Sequence, residues 1–310
     1  MKESIVNKNP KLKTYLTAEA GINHNGHMDL AYRLIDMTAN SGWDCIKFQK
    51  RDLDIVYTKE ELNTLRKTPF GLTNRQLKEH LEFSLNDYLC ISDYCKEKDV
   101  QWTVSPWDCK SLNSLCEYFY DEIPYIKIAS ASVTDAELLK EACKSRKPLW
   151  ISTGMCDLEL IKQIIDFVYR NDGKIGMLFH CTSVYPTPCN QINLLGIKTL
   201  QKEFPLVPIG YSGHEYGIYP SIAAVVLGAK AIERHITIDK ELFGSDQKAS
   251  IEFSEMYELF NAVSDIEKSY GDGNIIIYEE EKPIIKKLRR VDNFTRVFLS
   301  PEDINQKMSV

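Results

Sequence analysis

Short apolar runs alternate with longer amphipathic stretches along most of this chain. A run too short for a helix and rich in β-branched or aromatic residues reads as a buried strand, and apolar positions recurring every three or four residues read as one face of a helix. The first strand is predicted over Tyr15–Ile22, and its helix over Leu30–Gly42, where Leu30, Leu34, Ile35 and Met37 recur at helical spacing and Gly42 suits a C-cap. Strand two is Cys45–Lys50, and a long polar loop, Arg51–Arg75, separates it from a helix over Leu85–Asp99. Strand three is Gln101–Trp107 with a helix near Ser111–Phe119; strand four is Tyr125–Ser130 with a helix over Asp135–Ser145. Strand five is Pro148–Gly154 with Leu158–Asn171, and strand six is Ile175–Ser183 with Leu194–Phe204. Strand seven is Val207–Gly213 with Tyr219–Gly228, and strand eight is Ala231–Ile238, followed by a last helix over Ser254–Tyr270.

Eight strand–helix alternations predict an α/β protein of the (β/α)8 TIM-barrel class. The rival is a doubly wound open sheet, which expects a Gly-rich phosphate turn after strand one. The sequence Gly21–Gly26, GINHNG, matches GxGxxG poorly. The tail, Tyr278–Val310, is charged, lacks a strong pattern and is too short for a second ordinary domain. The domain reading is therefore a barrel over residues 1–277 and a C-terminal extension over 278–310, taken as a terminal strap on the barrel.

Composition narrows the class. Of 310 residues, 44% are hydrophobic, ample for one large core, and the formal charge of −6 gives no support for nucleic-acid binding. A mildly acidic protein still accommodates an anionic substrate where local lysines make a positive pocket. Nine cysteines stand singly, with no CxxC pair, which favours reduced thiols and a cytoplasmic location over a disulfide framework. The N-terminal MKESIVNKNPKLK has no apolar segment of a secretory signal, and no stretch has the length to span a bilayer, so no membrane association is expected.

In barrel enzymes the chemistry sits at the C-terminal mouth of the strands. Here those ends carry Glu19, Asn23, His24 and Asn25 on strand one, Lys47 and Gln49 on strand two, and Ser105 on strand three. They carry Lys127, Ser130 and Ser132 on strand four, Ser152 and Thr153 on strand five, and Cys181, Thr182, Ser183 and Tyr185 on strand six. Strands seven and eight bring Ser212, His214 and His235. Lys47 and Lys127 lie inside apolar strands, where an ammonium must face a polar mouth or be paired. With the hydroxyls of Ser105, Ser130, Ser152 and Ser212 they could clamp a phosphate or carboxylate; alternatively each pairs with a strand carboxylate such as Glu19 or Glu233. His214 and His235, at equivalent ends of neighbouring strands, could hold one divalent metal with positions left for water and substrate, or be mouth histidines satisfied by backbone. Glu19 serves as a base, holds a substrate hydroxyl, or partners Lys47. Cys181 reads as a small mouth residue, His180 as structural, His80 as surface, and His24 and His27 as either solvated loop residues or functional ones.

These motifs resemble the sialic acid (N-acetylneuraminate) synthase family. The resemblance is carried in order by AEAGINHNG (Ala18–Gly26), IKFQ (Ile46–Gln49), YIKIAS (Tyr125–Ser130), ISTGM (Ile151–Met155), HCTSVYPTP (His180–Pro188), GYSGH (Gly210–His214), ERHITID (Glu233–Asp239) and GSDQKASIE (Gly244–Glu252). It implies a transferase that condenses phosphoenolpyruvate with an N-acylated amino sugar, N-acetylmannosamine-like, to a nine-carbon 2-keto-3-deoxy acid and phosphate. It implies a divalent ion, manganese first and magnesium or cobalt as alternatives, held by His214 and His235. It places Lys47, Ser105, Lys127, Ser130, Ser152, Ser183 and Ser212 on phosphoenolpyruvate, and Glu19, Gln49, Tyr185 and Asp246 on the sugar or on proton movement. It implies a homodimer and a place in carbohydrate or polysaccharide biosynthesis.

Three departures bear on the acceptor. The family's C-terminal antifreeze-protein-like domain, whose arginine reaches the partner's sugar site, is expected to be lacking, so that the sugar site is completed differently or the domain is a separate polypeptide. Ser132 stands where a sugar-contacting glutamate is common, and Gly213 where an aspartate is common. Arg66 and Lys67 of the long polar loop are candidates to substitute. Two other functions stay open: a related phosphoenolpyruvate-dependent synthase with a different aldose, and a non-catalytic sugar-binding barrel.

Overall fold

The structure is a computed structural model, and it describes residues 13–289. Eight parallel strands form one sheet: β1 Tyr15–Gly21, β2 Cys45–Lys50, β3 Gln101–Pro106, β4 Ile126–Ile128, β5 Pro148–Ser152, β6 Lys174–Cys181, β7 Ile209–Gly213 and β8 Ala231–His235. The hydrogen-bonded order is β3-β2-β1-β8-β7-β6-β5-β4, so the sheet curls until its first and last strands adjoin. At that seam the Thr103 hydroxyl donates to the Tyr125 carbonyl at 2.8 Å. This is the (β/α)8 barrel expected from the alternation, and the open-sheet rival is set aside.

Alternation along each strand separates two apolar regions. Leu16, Ala18, Ile46, Phe48, Trp102, Val104, Leu149, Ile151 and Ile232 belong to the large core that includes the buried faces of the helices. Cys45, Tyr125, Trp150, Met177, Phe179 and Ala231 form a second, smaller cluster. Tyr125 and Trp150 stack there at 3.7 Å. Successive side chains of a strand point to opposite faces, so this second cluster is the floor of the barrel interior. Two residues further along each of these strands, the same inward face changes to Lys47, Lys127, Ser152, Cys181 and Glu233. Burial on both faces is why the strands read as nearly continuous apolar runs interrupted by isolated lysines.

The helices keep their predicted places with ends shifted by a few residues. Leu158–Arg170 is representative: Asp157 accepts from the Leu160 N–H at 2.8 Å, and Ile161, Ile164, Ile165 and Val168 form the buried stripe. Strand four is shorter than expected, because the chain turns into a 3-10 helix at Ser130–Ser132. The segment taken as a long polar loop is structured. It holds helices Leu53–Val56 and Lys59–Asn63, a hairpin of Leu65–Thr68 with Gly71–Thr73, and helix Asn74–Leu81. Capping boxes at Thr58/Glu61 and Thr73/Gln76 nucleate two of these helices.

The chain divides into two compact units between Ser269 and Tyr270, ahead of the expected boundary at 277. Among the described residues of the second unit, Glu281–Leu288 is a helix that the weak pattern did not predict. Residues 1–12, which include most of the polar N-terminal segment, and 290–310 of the expected extension lie outside the described residues. No described helix is long and apolar enough to cross a membrane.

Candidate active site

The C-terminal ends of the strands open into a cavity of about 400 Å³. The candidate residues of the resemblance line it together: Glu19, Lys47, Gln49, Ser105, Lys127, Ser130, Ser152, Ser183, Tyr185, Ser212, His214, His235 and Asp246. The inward-facing rows that make the floor thus end in one polar chamber.

The two readings of the lysines hold together. Both face the cavity, and both are paired: Lys47 Nζ lies 2.6 Å from Glu19 and 3.8 Å from Glu233, and Lys127 Nζ lies 3.4 Å from Glu233. Lys47 also donates to Ser105 Oγ at 3.2 Å, and Lys127 donates to Ser152 Oγ. Glu233, named in the sequence only as a partner, is the link between the ammonium groups and lines the cavity itself. Its signal was its position two residues before His235, on the same face of β8.

Charge balance sets the protonation pattern. Burial works against the Glu233 carboxylate, but Lys127 and Lys47 overcome it and hold its pKa down at about 2. Glu19 is pushed up, first by burial and then by the nearby Glu233, against the opposing pull of Lys47. Burial depresses Lys127, only partly offset by Glu233. Burial would also depress Lys47, yet the flanking Glu19 and Glu233 outweigh it and raise that ammonium. Two ammonium groups face two carboxyl groups, and Glu19 is the one whose surroundings favour a proton. Gln49 donates to Glu19 Oε1 at 2.6 Å and accepts from Arg51, which fixes the carboxyl's direction.

The hydroxyls of Ser105, Ser130, Ser152, Ser183 and Ser212 converge from the ends of five strands. Ser212 Oγ donates to Glu233 at 3.0 Å, Ser130 Oγ meets Cys181 Sγ at 3.2 Å, and buried Ser183 Oγ has no partner among the described residues. Gly154 makes this possible, since a Cβ there would stand 2.3 Å from Ser183 Oγ and 2.7 Å from Ser130 Oγ. Burial pushes the Cys181 thiol up, consistent with a small mouth residue and not a thiolate.

Across the cavity, the His214 and His235 rings lie 5.4 Å apart, and Tyr185 packs on His214 at 4.1 Å. His214 Nδ1 is 2.8 Å from the Thr182 carbonyl, so it carries the proton and leaves Nε2 as a lone pair. His235 Nδ1 is buried without a hydrogen-bond partner among the described residues, 3.7 Å from Asp246. Burial lowers both pKa values, His214 to about 3 with His235 adding to the effect, so both imidazoles are neutral, the ligating form. Two neutral imidazoles with an orphaned nitrogen and a nearby carboxylate fit a divalent transition ion. Among the described residues no group of three or more His, Cys, Asp or Glu is placed to hold a metal ion. An ion held here would have the two imidazoles as its protein ligands, with the other positions left for water and substrate.

Several expectations change. Ser132 does not line the cavity; Ala129, Ser130 and Ala131 do at that turn. Arg66 and Lys67 stay exposed on the hairpin, and the cations that reach the cavity are Arg51 and Lys78. Arg51 pairs with Glu82 at 2.9 Å and lies over the Trp107 ring, whereas Lys78 lies 3.7 Å over the Tyr57 ring without a carboxylate partner among the described residues. His24 is buried: its ring stacks on Phe83 at 4.0 Å, its Nδ1 accepts from Gly26 N–H at 3.1 Å, and burial lowers its pKa to about 3. His80 is half-buried, stacked on Phe70. His180 faces away from the cavity mouth, its Nε2 2.8 Å from the Ile192 carbonyl, as a structural residue. No side chain projects at Gly213, where a Cβ would meet the Glu215 oxygens at 2.5 and 2.8 Å; Glu215 itself is fully buried and does not line the cavity.

The profile of the NeuB family matches residues 34–275. The human N-acetylneuraminate-9-phosphate synthase is 39% identical over 83% of this chain and 71% of its own. The N,N'-diacetyllegionaminic acid synthase of Campylobacter jejuni is 36% identical over 84% of this chain and 78% of its own. The crystal structure of N-acetylneuraminic acid synthetase from Leptospira borgpetersenii superposes with a TM-score of 0.74 at 30% identity, covering 92% of this chain and 94% of that one. The barrel, its mouth chemistry and these likenesses agree on lineage: this chain belongs to the NeuB family.

Proposed function

We propose that this enzyme condenses phosphoenolpyruvate with an N-acylated amino sugar to give a nonulosonic acid and phosphate. One observation carries the reading: two buried ammonium groups and five serine hydroxyls share a cavity with two neutral imidazoles. Phosphoenolpyruvate brings a phosphate and a carboxylate, which match Lys47, Lys127, Ser105, Ser130, Ser152, Ser183 and Ser212. The names of the relatives support the product class.

In the reaction the enol C3 forms a bond to the acceptor's aldehyde carbon, and the aldehyde oxygen takes up a proton. Water then adds at C2 and gives up a proton, and the C2–O bond to phosphate breaks. His214 and His235 would hold the divalent ion, with manganese as the first choice, and the chemistry it supplies when bound is Lewis-acid polarisation of the acceptor's carbonyl. The lysines are already matched by Glu19 and Glu233, so an arriving anion needs further positive charge or a proton on a carboxyl. Glu19, raised in pKa and held by Gln49, is the group placed to carry that proton. Tyr185 and Asp246, beside the imidazoles, bound the acceptor's side. Fixed ammonium and hydroxyl groups aimed at developing charge are expected to supply most of the acceleration.

A second reading of the acceptor is favoured by Lys78, which lines the cavity, as Arg51 does, and has no carboxylate partner among the described residues. An anionic group at the acceptor's far end would suit it, and the human relative's name specifies a 9-phosphate. Phosphoenolpyruvate contributes three carbons, so the ninth is the terminal carbon of a hexosamine. The test is phosphate release from phosphoenolpyruvate with manganese and a panel of N-acetylated hexosamines, free and phosphorylated at that carbon, with shorter aldoses as controls. Release with a hexosamine supports the reading. Release only with a shorter aldose, or none while metal still binds, removes it.

A further inference from the structure

We infer that Glu215 and Arg234 are positioning residues that set the two imidazoles relative to one another, an inference that rests on His214 and His235 being the metal ligands. Glu215 immediately follows His214 beyond β7, and Arg234 immediately precedes His235 on β8. Alternation turns Arg234 to the face opposite Glu233 and His235, and there it is wholly buried.

Its guanidinium crosses to the loop that carries His214. Nη1 donates to Glu215 Oε1 at 3.0 Å, to the Gly217 carbonyl at 2.7 Å and to Ser221 Oγ at 3.0 Å, and Nη2 donates to the Glu215 carbonyl at 2.7 Å. The Glu215 carboxylate also accepts from the Tyr211 hydroxyl at 2.8 Å and from Ser221 Oγ at 3.1 Å. Two of the Arg234 bonds end on main-chain carbonyls, so the path of the loop is fixed as well as its side chain. A buried ion pair of this kind adds little stability compared with an apolar pair of the same volume. What it adds here is geometry: one strand's imidazole is tied to its neighbour's through adjacent residues. Groups that orient metal ligands from behind control affinity in this way.

Gly213 leaves the space for this carboxylate. A Cβ at 213 would lie 2.5 Å from Glu215 Oε2 and 2.8 Å from Oε1. A side chain at 213 and the Glu215 carboxylate therefore exclude one another, and an aspartate at 213 could bring a carboxylate into the same neighbourhood.

The test is a Mn2+ titration of the full chain, followed by the electron paramagnetic resonance of the free ion. Glu215→Gln is expected to raise the Mn2+ Kd about 10- to 100-fold while leaving the phosphoenolpyruvate requirement at saturating Mn2+ nearly unchanged. Relocating the carboxylate, with Gly213→Asp in a Glu215→Ala background, should restore most of the affinity. Tyr211→Phe removes one bond to Glu215 without opening a cavity, and should weaken Mn2+ binding severalfold. Unaltered Mn2+ affinity in folded Glu215→Gln, or in Tyr211→Phe where the former does not fold, overturns the inference. Failure of the unmodified protein to take up Mn2+ instead overturns the metal reading, and the inference with it.

Discussion

Lys127 and His214 divide the cavity's chemistry between them. Lys127 is fully buried and faces one carboxylate and one serine hydroxyl, so its ammonium is available to a substrate anion at the cost of loosening Glu233. Lys127→Ala should raise the phosphoenolpyruvate KM far more than the sugar KM, since a charged hydrogen bond worth roughly 1.5–3 kcal/mol is lost. Steady-state kinetics in each substrate would show it, and an unchanged phosphoenolpyruvate KM would take Lys127 out of the anion site. His214→Ala should abolish Mn2+ uptake and turnover with the circular dichroism spectrum preserved; retained Mn2+ affinity would remove the metal assignment. His24 gives a pH prediction. Its folded pKa is near 3 against an ordinary value of 6.5, so between those values the unfolded chain binds a proton that the folded chain refuses. Stability therefore falls as pH drops below 6.5, by up to about 1.4 kcal/mol per unit for this group. Urea midpoints at pH 7 and pH 5 should fall less in His24→Asn than in the unmodified protein, because other groups contribute equally to both. Equal falls would mean that His24 titrates normally. The inward direction of Lys47, Lys127, Glu233 and both imidazoles was legible from alternation along the strands. Burial of His24, and the Glu215–Arg234 pair, were not: one depends on Phe83 and the other on a loop, and both contacts are remote in sequence.

At the scale of elements, periodicity carried the strands and most helices, because each buries one continuous stripe. Leu158–Arg170 is a case where pattern and cap coincide. Asp157→Ala should destabilise the protein by about 1 kcal/mol by leaving the first-turn N–H groups unpaired, seen as a lower urea midpoint with unchanged slope; no shift would mean that the cap is replaced by water without loss. The segment between β2 and β3 was misread because its helices are too short to show a repeat. Its signals were local instead: threonine three residues before glutamate at Thr58–Glu61, and before glutamine at Thr73–Gln76. Those boxes order the segment that presents Tyr57 and Lys78 to the cavity, so the basic residues first suspected, Arg66 and Lys67, are on the exposed hairpin while Lys78 follows it in a helix. Glu281–Leu288 has no side-chain cap, and its apolar residues, Ile284, Ile285 and Leu288, span a single turn, too short a repeat to announce a helix.

For the molecule as a whole, the eight staves were countable in the sequence, but the place where the barrel closes was not, because closure depends on register between strands far apart in the chain. β3 and β4 share a border without joining in the ladder, held there by Thr103 and the Tyr125 carbonyl. Ser105 stands on one side of that border and Lys127 on the other. A phosphoenolpyruvate molecule gripped by both would act as a stitch across the one unlaced edge. Its binding should raise the thermal midpoint in proportion to the logarithm of ligand excess, and should slow amide exchange most in β3 and β4. Protection spread evenly around the ring would mean that the ligand rests on one side of the opening, and that the chamber is as tightly closed when vacant as when filled.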